Sequence, residues 1–223
     1  HYKDRRDLVR DLADIMNAEF HRLADAGCPV IQVEEPCIHG VAGLPPGTLM
    51  TPEFYVDAFN REVAGLRDKT EVWCHTCWGN PLAQRTRDQV YSYEAAIPFL
   101  NRLEVDVLTF ETCETDGAAP ELIGKQVSAA KKIALGCVSH RTLQVERPEE
   151  VADMVRRALR HIPPERLILS SDCGFGRHGM SRTHAIYKMA AIVQGANMVR
   201  RELGLPEAEV PLADRRFALV DAD

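Results

Sequence analysis

The sequence predicts an α/β fold in which one sheet of parallel strands is built from repeated strand–helix units. Three observations support this class of fold. Short apolar runs alternate with longer amphipathic segments, Gly- and Pro-containing loops separate the two, and most polar residues of catalytic type directly follow the apolar runs. Alternating strands and helices imply parallel pairing with right-handed crossovers. The 223 residues are enough to bury one sizeable core.

The first elements are a helix, a strand and a second helix. Residues 4–26 are expected to be helical, because apolar side chains recur at helical spacing and Gly27 supplies a stop. These side chains are Leu8, Leu12, Ile15, Met16 and Leu23. A buried strand follows at residues 29–33 and ends before Pro36, which cannot continue a central ladder. Thr51 and Pro52 then begin a helix as cap and first-turn proline.

Four further strand–helix units complete the pattern. The strands are predicted at residues 71–75, 105–110, 133–137 and 166–170, and the helices at residues 88–103, 120–131, 148–161 and 181–203. The tail, residues 206–223, is less periodic and receives no assignment. Five strands indicate either an open doubly wound sheet or most of an eight-stranded barrel that lacks its first three strands.

The composition argues against several classes of partner. The net charge is −6 with no long run of Lys or Arg, so nucleic acid and anionic membranes are not expected to bind. No apolar stretch approaches the roughly 20 residues that span a bilayer, and no signal peptide opens the chain. Seven cysteines are an odd count, which argues against a disulfide framework and favours reduced thiols in the cytoplasm. No glycine-rich nucleotide-binding motif is present in the sequence.

Four residues of metal-ligating type follow the ends of predicted strands: His75, Cys77, Glu111 and Cys173. Imidazole, thiolate and carboxylate are the ligands that Zn²⁺ takes in proteins. His75 and Cys77 are two positions apart, so the strand period puts both side chains on one face. Since barrel enzymes build their sites at the carboxyl ends of several strands, the pattern predicts a shared zinc site.

The ligand types indicate a particular chemistry. Two thiolates, one carboxylate and a neutral imidazole give a Zn²⁺ centre a net charge of −1. Zinc lowers the pKa of a bound thiol, so a substrate thiol binds it as thiolate at neutral pH. Because the negative surroundings do not draw electron density from the sulfur, it stays nucleophilic. The pattern therefore predicts alkylation of a thiol.

Other interpretations of the cysteines are less well supported. Cys74 and Cys77 have the spacing of a redox pair, but Cys74 should point to the opposite face of the strand. A structural zinc ribbon needs a second pair of closely spaced cysteines, and the sequence has none. The remaining cysteines are predicted to be small buried hydrophobic residues: Cys28, Cys37, Cys113 and Cys137.

At these residues the chain resembles the catalytic domain of cobalamin-independent methionine synthase and its relatives. The segments concerned are Ile31-Gln-Val-Glu34-Glu35-Pro36, His75-Thr-Cys77, Thr109-Phe-Glu111-Thr and Ser171-Asp172-Cys173-Gly174. They are similar to the family's Ile-Gln-Ile-Asp-Glu-Pro, His-x-Cys, Ile-Glu-Thr and Pro-Asp-Cys-Gly segments. The similarity extends from about Val30 to Leu203, and four motifs in order make it specific.

The resemblance implies a (β/α)8 TIM barrel with zinc held by His75, Cys77, Glu111 and Cys173. It also implies a zinc-dependent methyltransferase that moves a methyl or alkyl group to a thiol, homocysteine in the namesake enzymes. The methyl donor, methyl-folate or another compound, stays open. Glu34 falls where the family has an Asp that binds the ammonium group of the amino-acid substrate. His140 falls near a family histidine proposed to protonate the leaving group.

The family's first strands have no counterpart in this sequence. We therefore expect residues 1–223 to be the C-terminal part of a single zinc-binding barrel domain, holding about the last five β/α units. The first strands would lie on a complementing N-terminal segment or on another chain of a homo-oligomer. Open edges and a half-exposed interior would otherwise make the domain unstable.

Three alternatives remain open at this point. The Trp78-Gly-Asn sequence looks closer to single-barrel relatives, some of which alkylate coenzyme M. A metal-free enzyme resembling uroporphyrinogen decarboxylase would instead use loop cations such as Arg141, Arg177 and Arg182. A zinc- or cobamide-handling accessory protein is the non-enzymatic possibility.

Overall fold

One sheet with its strands in chain order forms the framework. The computed structural model describes residues 1–42, 50–77, 92–113, 119–176 and 179–217. The strands are β1 (Val30–Glu34), β2 (Glu71–His75), β3 (Val107–Phe110), β4 (Lys132–Val138) and β5 (Leu167–Ser171), in the order β1-β2-β3-β4-β5. The pairs β1–β2 and β2–β3 are parallel. This confirms the α/β prediction. A doubly wound sheet reverses its order at a switch point, so the sequential order favours the barrel.

The helices follow the predicted pattern, except that the one predicted over residues 120–131 ends at Gln126 and the one before β3 is much shorter than predicted. They are α1 (Arg5–Asp25), α2 (Ile38–Ala42), α3 (Pro52–Val63), α4 (Ile97–Leu100), α5 (Ala119–Gln126), α6 (Pro148–Ala158) and α7 (Arg182–Glu202). The predicted helix over residues 88–103 is wrong in its described part, where only α4 forms. Pro98 explains the difference, because a proline is tolerated only in the first turn of a helix. Residues 88–91 lie outside the described part.

The structure adds short elements that the sequence pattern did not predict. The helix α2 was not predicted, and the tail contains two 3-10 helices, Pro211–Ala213 and Arg215–Phe217. Residues 218–223 lie outside the described part. Among the helices that the structure describes, none is both long and apolar enough to cross a membrane.

The chain divides into two compact units. The first contains the described residues within His1–Ala83, Ser92–Thr109 and Gln126–Ile133. As predicted, α3 begins at Thr51, whose hydroxyl accepts a hydrogen bond from the Phe54 N–H at 3.3 Å. The helix α1 contacts the end of α3 through Asn17, whose amide donates to the Ala64 carbonyl at 3.0 Å. The buried side chains of this unit include Val56, Phe59, Leu66, Val72, Leu100 and Leu108.

The apolar side chains of α1 are exposed. The helix forms as predicted, but the fractional exposures are 37% for Leu8, 50% for Leu12, 63% for Ile15, 38% for Met16 and 44% for Leu23. The buried residues of α1 are instead Ala13 and Ala24. Its polar contacts with α3 pair Asp14 with Arg61 and bond the Asn17 amide to the Glu62 carbonyl. A row of exposed apolar side chains of this kind is unusual on the surface of a monomeric protein. That the first strands of a barrel lie outside these residues stays a prediction.

The second unit contains the described residues within Phe110–Lys125 and Ala134–Asp223. Its core joins β4, α6 and α7, and the buried residues are Cys137, Val138, Val151, Ala152, Val155, Ala191, Ile192 and Val199. The two helices cross at Gly195, where a Cβ would lie 2.7 Å from the Pro148 carbonyl oxygen and from the Val151 Cβ. The absence of a side chain at Gly195 is therefore what permits this close packing.

A second close contact involves Gly136 of β4. A Cβ at this position would lie 2.6 Å from the Asp172 Cα and 2.8 Å from its backbone nitrogen. Replacing Gly136 with Ala is expected to lower the free energy of unfolding by about 3 kcal/mol, because the backbone that it would strike cannot rotate away. Urea denaturation followed by circular dichroism measures the change.

Gly40→Ala is the matched control. Gly40 lies in α2 with nothing within 4 Å of the added carbon. Alanine there should be neutral or stabilise by up to about 1 kcal/mol, since it favours the helix. Equal unfolding midpoints for the two variants would contradict the packing at Gly136.

Candidate metal centre

The first group of donors lies at the end of β2, within the first unit. A ring nitrogen of His75 and the sulfur of Cys77 lie within 4.8 Å of each other, and both residues are 7% exposed. The register pairs His75 with Thr109 of β3, whose hydroxyl lies 2.9 Å from the His75 Nδ1. A histidine that uses Nδ1 in this way presents Nε2 to a metal. The predicted placement of His75 and Cys77 on one face is consistent with this geometry.

Two neighbours hold the segment that carries these donors. The hydroxyl of Thr76 donates to the Thr109 carbonyl at 2.6 Å, so the segment is attached to β3. His39 of α2 hydrogen-bonds the backbone of Cys77 and makes an edge contact with the ring of Tyr93 at 5.8 Å. Burial lowers the pKa of His39 to about 4, so it is neutral at pH 7. No spacing in the sequence indicated a role for His39.

The neighbouring carboxylates of Glu34 and Glu35 lie in different environments. The Glu35 carboxylate accepts backbone hydrogen bonds from Cys37 at 2.7 Å and Ile38 at 2.8 Å, which fixes the start of α2. Burial raises the pKa of Glu35. Glu34 is exposed and is the register partner of His75 on β2. Paired residues of neighbouring strands share a face of the sheet, so the predicted substrate-binding residue lies beside His75.

The second group of donors lies within the second unit and comprises Glu111, His140 and Cys173. Each follows a different strand, and their ligand atoms all lie within 4.8 Å of one another. All are buried, with exposures of 3% for Glu111, 1% for His140 and 9% for Cys173. The sequence predicted Glu111 and Cys173 as ligands and His140 as an acid. In the structure His140 belongs to the same donor group as Glu111 and Cys173 and could itself hold a metal.

Arg141 neutralises the carboxylate of Glu111. Its guanidinium donates to the Glu111 carboxylate at 2.8 Å, and the side chains are only 9% and 3% exposed. The Arg141 backbone N–H donates in turn to the Ser139 hydroxyl at 3.0 Å. A buried Arg–carboxylate pair has little screening by water, so each charge depends on the other. The sequence suggested Arg141 only as a cation for an acidic substrate.

The loop that carries His140 and Arg141 is anchored to α7. The Ser139 N–H donates to Glu146 Oε1 at 2.8 Å, and the buried Lys188 ammonium donates to Glu146 Oε2 at 2.8 Å. Lys188 also donates to the Gln144 carbonyl at 2.5 Å, and its side chain is fully buried. These bonds fix the loop at both of its ends, so His140 and Arg141 are held in place by the core.

Asp172 directly precedes Cys173 and accepts backbone hydrogen bonds from the loop after β3. Its Oδ1 lies 2.8 Å from the Thr112 nitrogen and 3.2 Å from the Cys113 nitrogen. Burial raises the pKa of Asp172 to about 7. The sequence placed Asp172 in a motif but gave it no task.

The other cysteines have no place in either group of donors. Cys74 is fully buried on the face opposite to His75, and burial raises the pKa of its thiol. It therefore lacks the exposure and low pKa of a redox cysteine. Cys137 is buried as predicted, whereas Cys28, Cys37 and Cys113 are only half-buried. The Cys113 thiol donates to the Gly136 carbonyl at 3.6 Å, and burial raises its pKa.

The cations considered for an acidic substrate are not brought together in the described residues. Arg141 pairs with Glu111, and Arg182 is exposed at the start of α7. Arg177 and the Trp78-Gly-Asn segment lie outside the described residues.

The class of protein follows from the fold and the donors. It is an α/β barrel-type protein in which buried nitrogen, oxygen and sulfur donors, the candidate metal ligands, lie at the carboxyl ends of parallel strands. A family model described as the catalytic domain of cobalamin-independent synthase matches residues 2–197. The chain therefore belongs to the family of cobalamin-independent synthase catalytic domains, as its motifs indicated.

Individual relatives agree with this assignment. The chain is 32% identical over 203 residues to methionine synthases of Saccharolobus islandicus and Saccharolobus solfataricus, covering 91% of this chain and 54% of theirs. It is 30% identical to the methionine synthase of Sulfurisphaera tokodaii, over 52% of that protein. The chain thus spans about half the length of the curated relatives that it matches.

Solved structures support the fold. A B12-independent methionine synthase from Shewanella sp. W3-18-1, in complex with selenomethionine, matches with a TM-score of 0.78 and 27% identity. The match covers 91% of this chain and 57% of that one. A putative vitamin-B12 independent methionine synthase from Listeria monocytogenes matches at 21% identity with a TM-score of 0.53, over 78% of this chain and 50% of that one. These matches confirm the fold class predicted from the sequence.

Arg141→Met tests the buried ion pair. The substitution leaves the Glu111 carboxylate buried without its guanidinium, so the metal-free protein should lose about 3 kcal/mol of unfolding free energy at pH 7. Arg156→Met is the control, because Arg156 forms exposed pairs with Asp153 and Glu202. Exposed pairs contribute at most about 1 kcal/mol. Similar losses in both variants, measured by chemical denaturation, would contradict the pairing at Glu111.

Proposed function

We propose that this chain is the zinc-binding part of a cobalamin-independent methionine synthase, which transfers a methyl group to the thiol of homocysteine. Membership of the synthase family supports the reaction class. The observation that carries the proposal is the composition of the two buried donor groups, His75 with Cys77 and Glu111 with His140 and Cys173. Histidine nitrogen, cysteine sulfur and carboxylate oxygen are the donors that Zn²⁺ prefers.

The proposed ligands of the ion are His75, Cys77, Glu111 and Cys173. The donor set fits zinc because two thiolates and an imidazole favour it over magnesium or calcium, which take oxygen. The contact of Thr109 with the His75 Nδ1 supports this role, since metal-bound histidines commonly use their other nitrogen in a hydrogen bond. The buried Arg141 beside Glu111 would offset the single negative charge of such a centre.

A bound zinc ion would supply one effect, which is to lower the pKa of the substrate thiol so that it binds as thiolate. The protein residues do the rest. Burial of Cys77, Glu111 and Cys173 keeps water away from the reacting sulfur. We assign to His140 a proton on a ring nitrogen, which it gives to the leaving group. Its distance from Glu111 and Cys173 supports this position.

Three observations favour homocysteine as the acceptor. The curated relatives are named methionine synthase, and the Shewanella enzyme was solved with selenomethionine, the selenium analogue of methionine. Glu34, exposed beside His75, provides a carboxylate for the ammonium group of an amino acid. Coenzyme M has no ammonium group, so this carboxylate would have no partner in it. The methyl donor is not assigned.

The alternatives are less well supported. A metal-free decarboxylase would need cations directed at an acidic substrate, whereas Arg141 is bound to Glu111. The decarboxylase hypothesis also does not explain why sulfur, nitrogen and oxygen donors cluster. A closed, non-enzymatic zinc site would admit no thiol, which the second experiment below would detect.

The first test is metal content. The protein that carries this chain, purified at its natural length, should bind one zinc ion per chain. Replacing Cys77 or Cys173 with Ser should weaken zinc binding by at least about 100-fold and remove methyl transfer with it. Cys28→Ser is the control, because Cys28 is half-buried outside both donor groups. Methyl transfer by zinc-free protein would refute the proposal.

The second test is the thiol. X-ray absorption at the zinc edge should show one added sulfur when homocysteine binds. Calorimetry with Glu34→Gln should show homocysteine binding weakened by about tenfold, since a charge-assisted hydrogen bond is lost. Binding of coenzyme M should be the same in both proteins. Unchanged homocysteine affinity would remove Glu34 from the substrate site, and an unchanged absorption spectrum would favour a closed zinc site.

A further inference from the structure

We propose that Asp172 is a positioning residue of the metal centre, because its carboxylate ties the backbone after Glu111 to the backbone that carries Cys173. The proposal rests on the zinc site proposed above and adds to it a residue that is not itself a ligand. Asp172 would act by setting the distance between two donors that come from different strands.

The hydrogen bonds of Asp172 connect two ligand-bearing segments. Its Oδ1 accepts from the backbone nitrogens of Thr112 at 2.8 Å and Cys113 at 3.2 Å. Thr112 directly follows Glu111, and Asp172 directly precedes Cys173. A single side chain, 1% exposed, therefore joins the loop after β3 to the loop after β5 immediately beside both donors.

The connection is fixed from a third strand. The Asp172 N–H donates to the Val138 carbonyl at 3.0 Å, and the Thr112 hydroxyl donates to the Gly136 carbonyl at 2.5 Å. Both acceptors belong to β4. Because Gly136 has no side chain, Asp172 can pack directly against β4. A Cβ added at Gly136 would clash with the backbone of Asp172. Asp172 therefore cannot shift without moving the segments that carry Glu111 and Cys173.

This arrangement matters because a metal site tolerates only small displacements of its donor atoms. Ligand distances in a well-formed site vary by about 0.2 Å, so a loop displaced by a larger amount no longer offers its donor. Glu111 and Cys173 follow different strands, and the sheet alone leaves the loops beyond the strand ends free to adjust. The carboxylate of Asp172 removes that freedom at the residues next to both donors.

The experiment compares Asp172→Asn with Asp172→Ala in the protein at its natural length. Asparagine keeps the side-chain oxygen that accepts from Thr112 and Cys113, so zinc affinity should stay within about threefold of the original. Alanine removes the acceptor, and zinc affinity should fall by about 10- to 100-fold. Competition with a chromophoric chelator gives the affinities. Cobalt-substituted protein should show altered thiolate-to-cobalt bands for alanine and near-normal bands for asparagine.

Asn197→Ala controls for a purely structural effect. Asn197 is 5% exposed and also bonds two backbone groups of another segment, the carbonyl of Ala208 at 3.1 Å and its N–H at 2.7 Å. Its loss should lower the unfolding midpoint and leave zinc affinity and the cobalt spectrum unchanged. Should Asp172→Ala not fold, Asp172→Ser replaces it, since its short hydroxyl cannot reach both N–H groups.

The outcomes separate the two proposals. Normal zinc affinity in the alanine or serine variant overturns the positioning role, and so does an equal loss of affinity in Asn197→Ala. Equal losses in the asparagine and alanine variants also overturn it, because they would make the charge responsible rather than the position. An original protein that binds no zinc refutes the proposed function itself, whatever the variants do.

Discussion

The rest of the structure depends on the register of parallel strands. Because β1, β2 and β3 pair in parallel, their carboxyl ends lie at one edge of the sheet, and residues that follow them are brought together. The register sets Glu34 opposite His75 and His75 opposite Thr109. A slip of one residue would turn His75 towards the helices and remove it from the site. The backbone hydrogen bonds of the sheet thus decide which side chains can do chemistry.

Burying polar groups at a sheet edge is costly, and the protein offsets that cost with specific partners. Glu111 is paired with Arg141, and Lys188 with Glu146. Among the described residues, the partners of the Asp172 carboxyl group are the backbone N–H groups of Thr112 and Cys113. A buried charge without such a partner would cost several kcal/mol. The loops beyond the strands are consequently held by polar bonds, in contrast to the helices, which pack through apolar side chains.

This combination is compatible with the proposed transfer of an alkyl group to a thiol. Such a reaction needs a sulfur that is ionised at neutral pH but shielded from water. Cys77 and Cys173 are each buried and so shielded from water, and the curated relatives are named methionine synthase. The chain spans about half the length of those relatives. The methyl donor and the thiol acceptor are therefore part of the proposed function.

The sequence by itself determined the order and kind of most elements, and it pointed to His75, Cys77, Glu111 and Cys173 as candidate ligands. Apolar periodicity and local capping at Thr51 are encoded by neighbouring residues, so they can be read without coordinates. Only the tertiary structure determined the contacts of His39, Arg141 and Asp172. Their partners lie far away in the sequence, at Cys77, Glu111 and Thr112, and no local pattern records such contacts. The exposed face of α1 is a further case, because helical spacing predicts an apolar side but not what covers it.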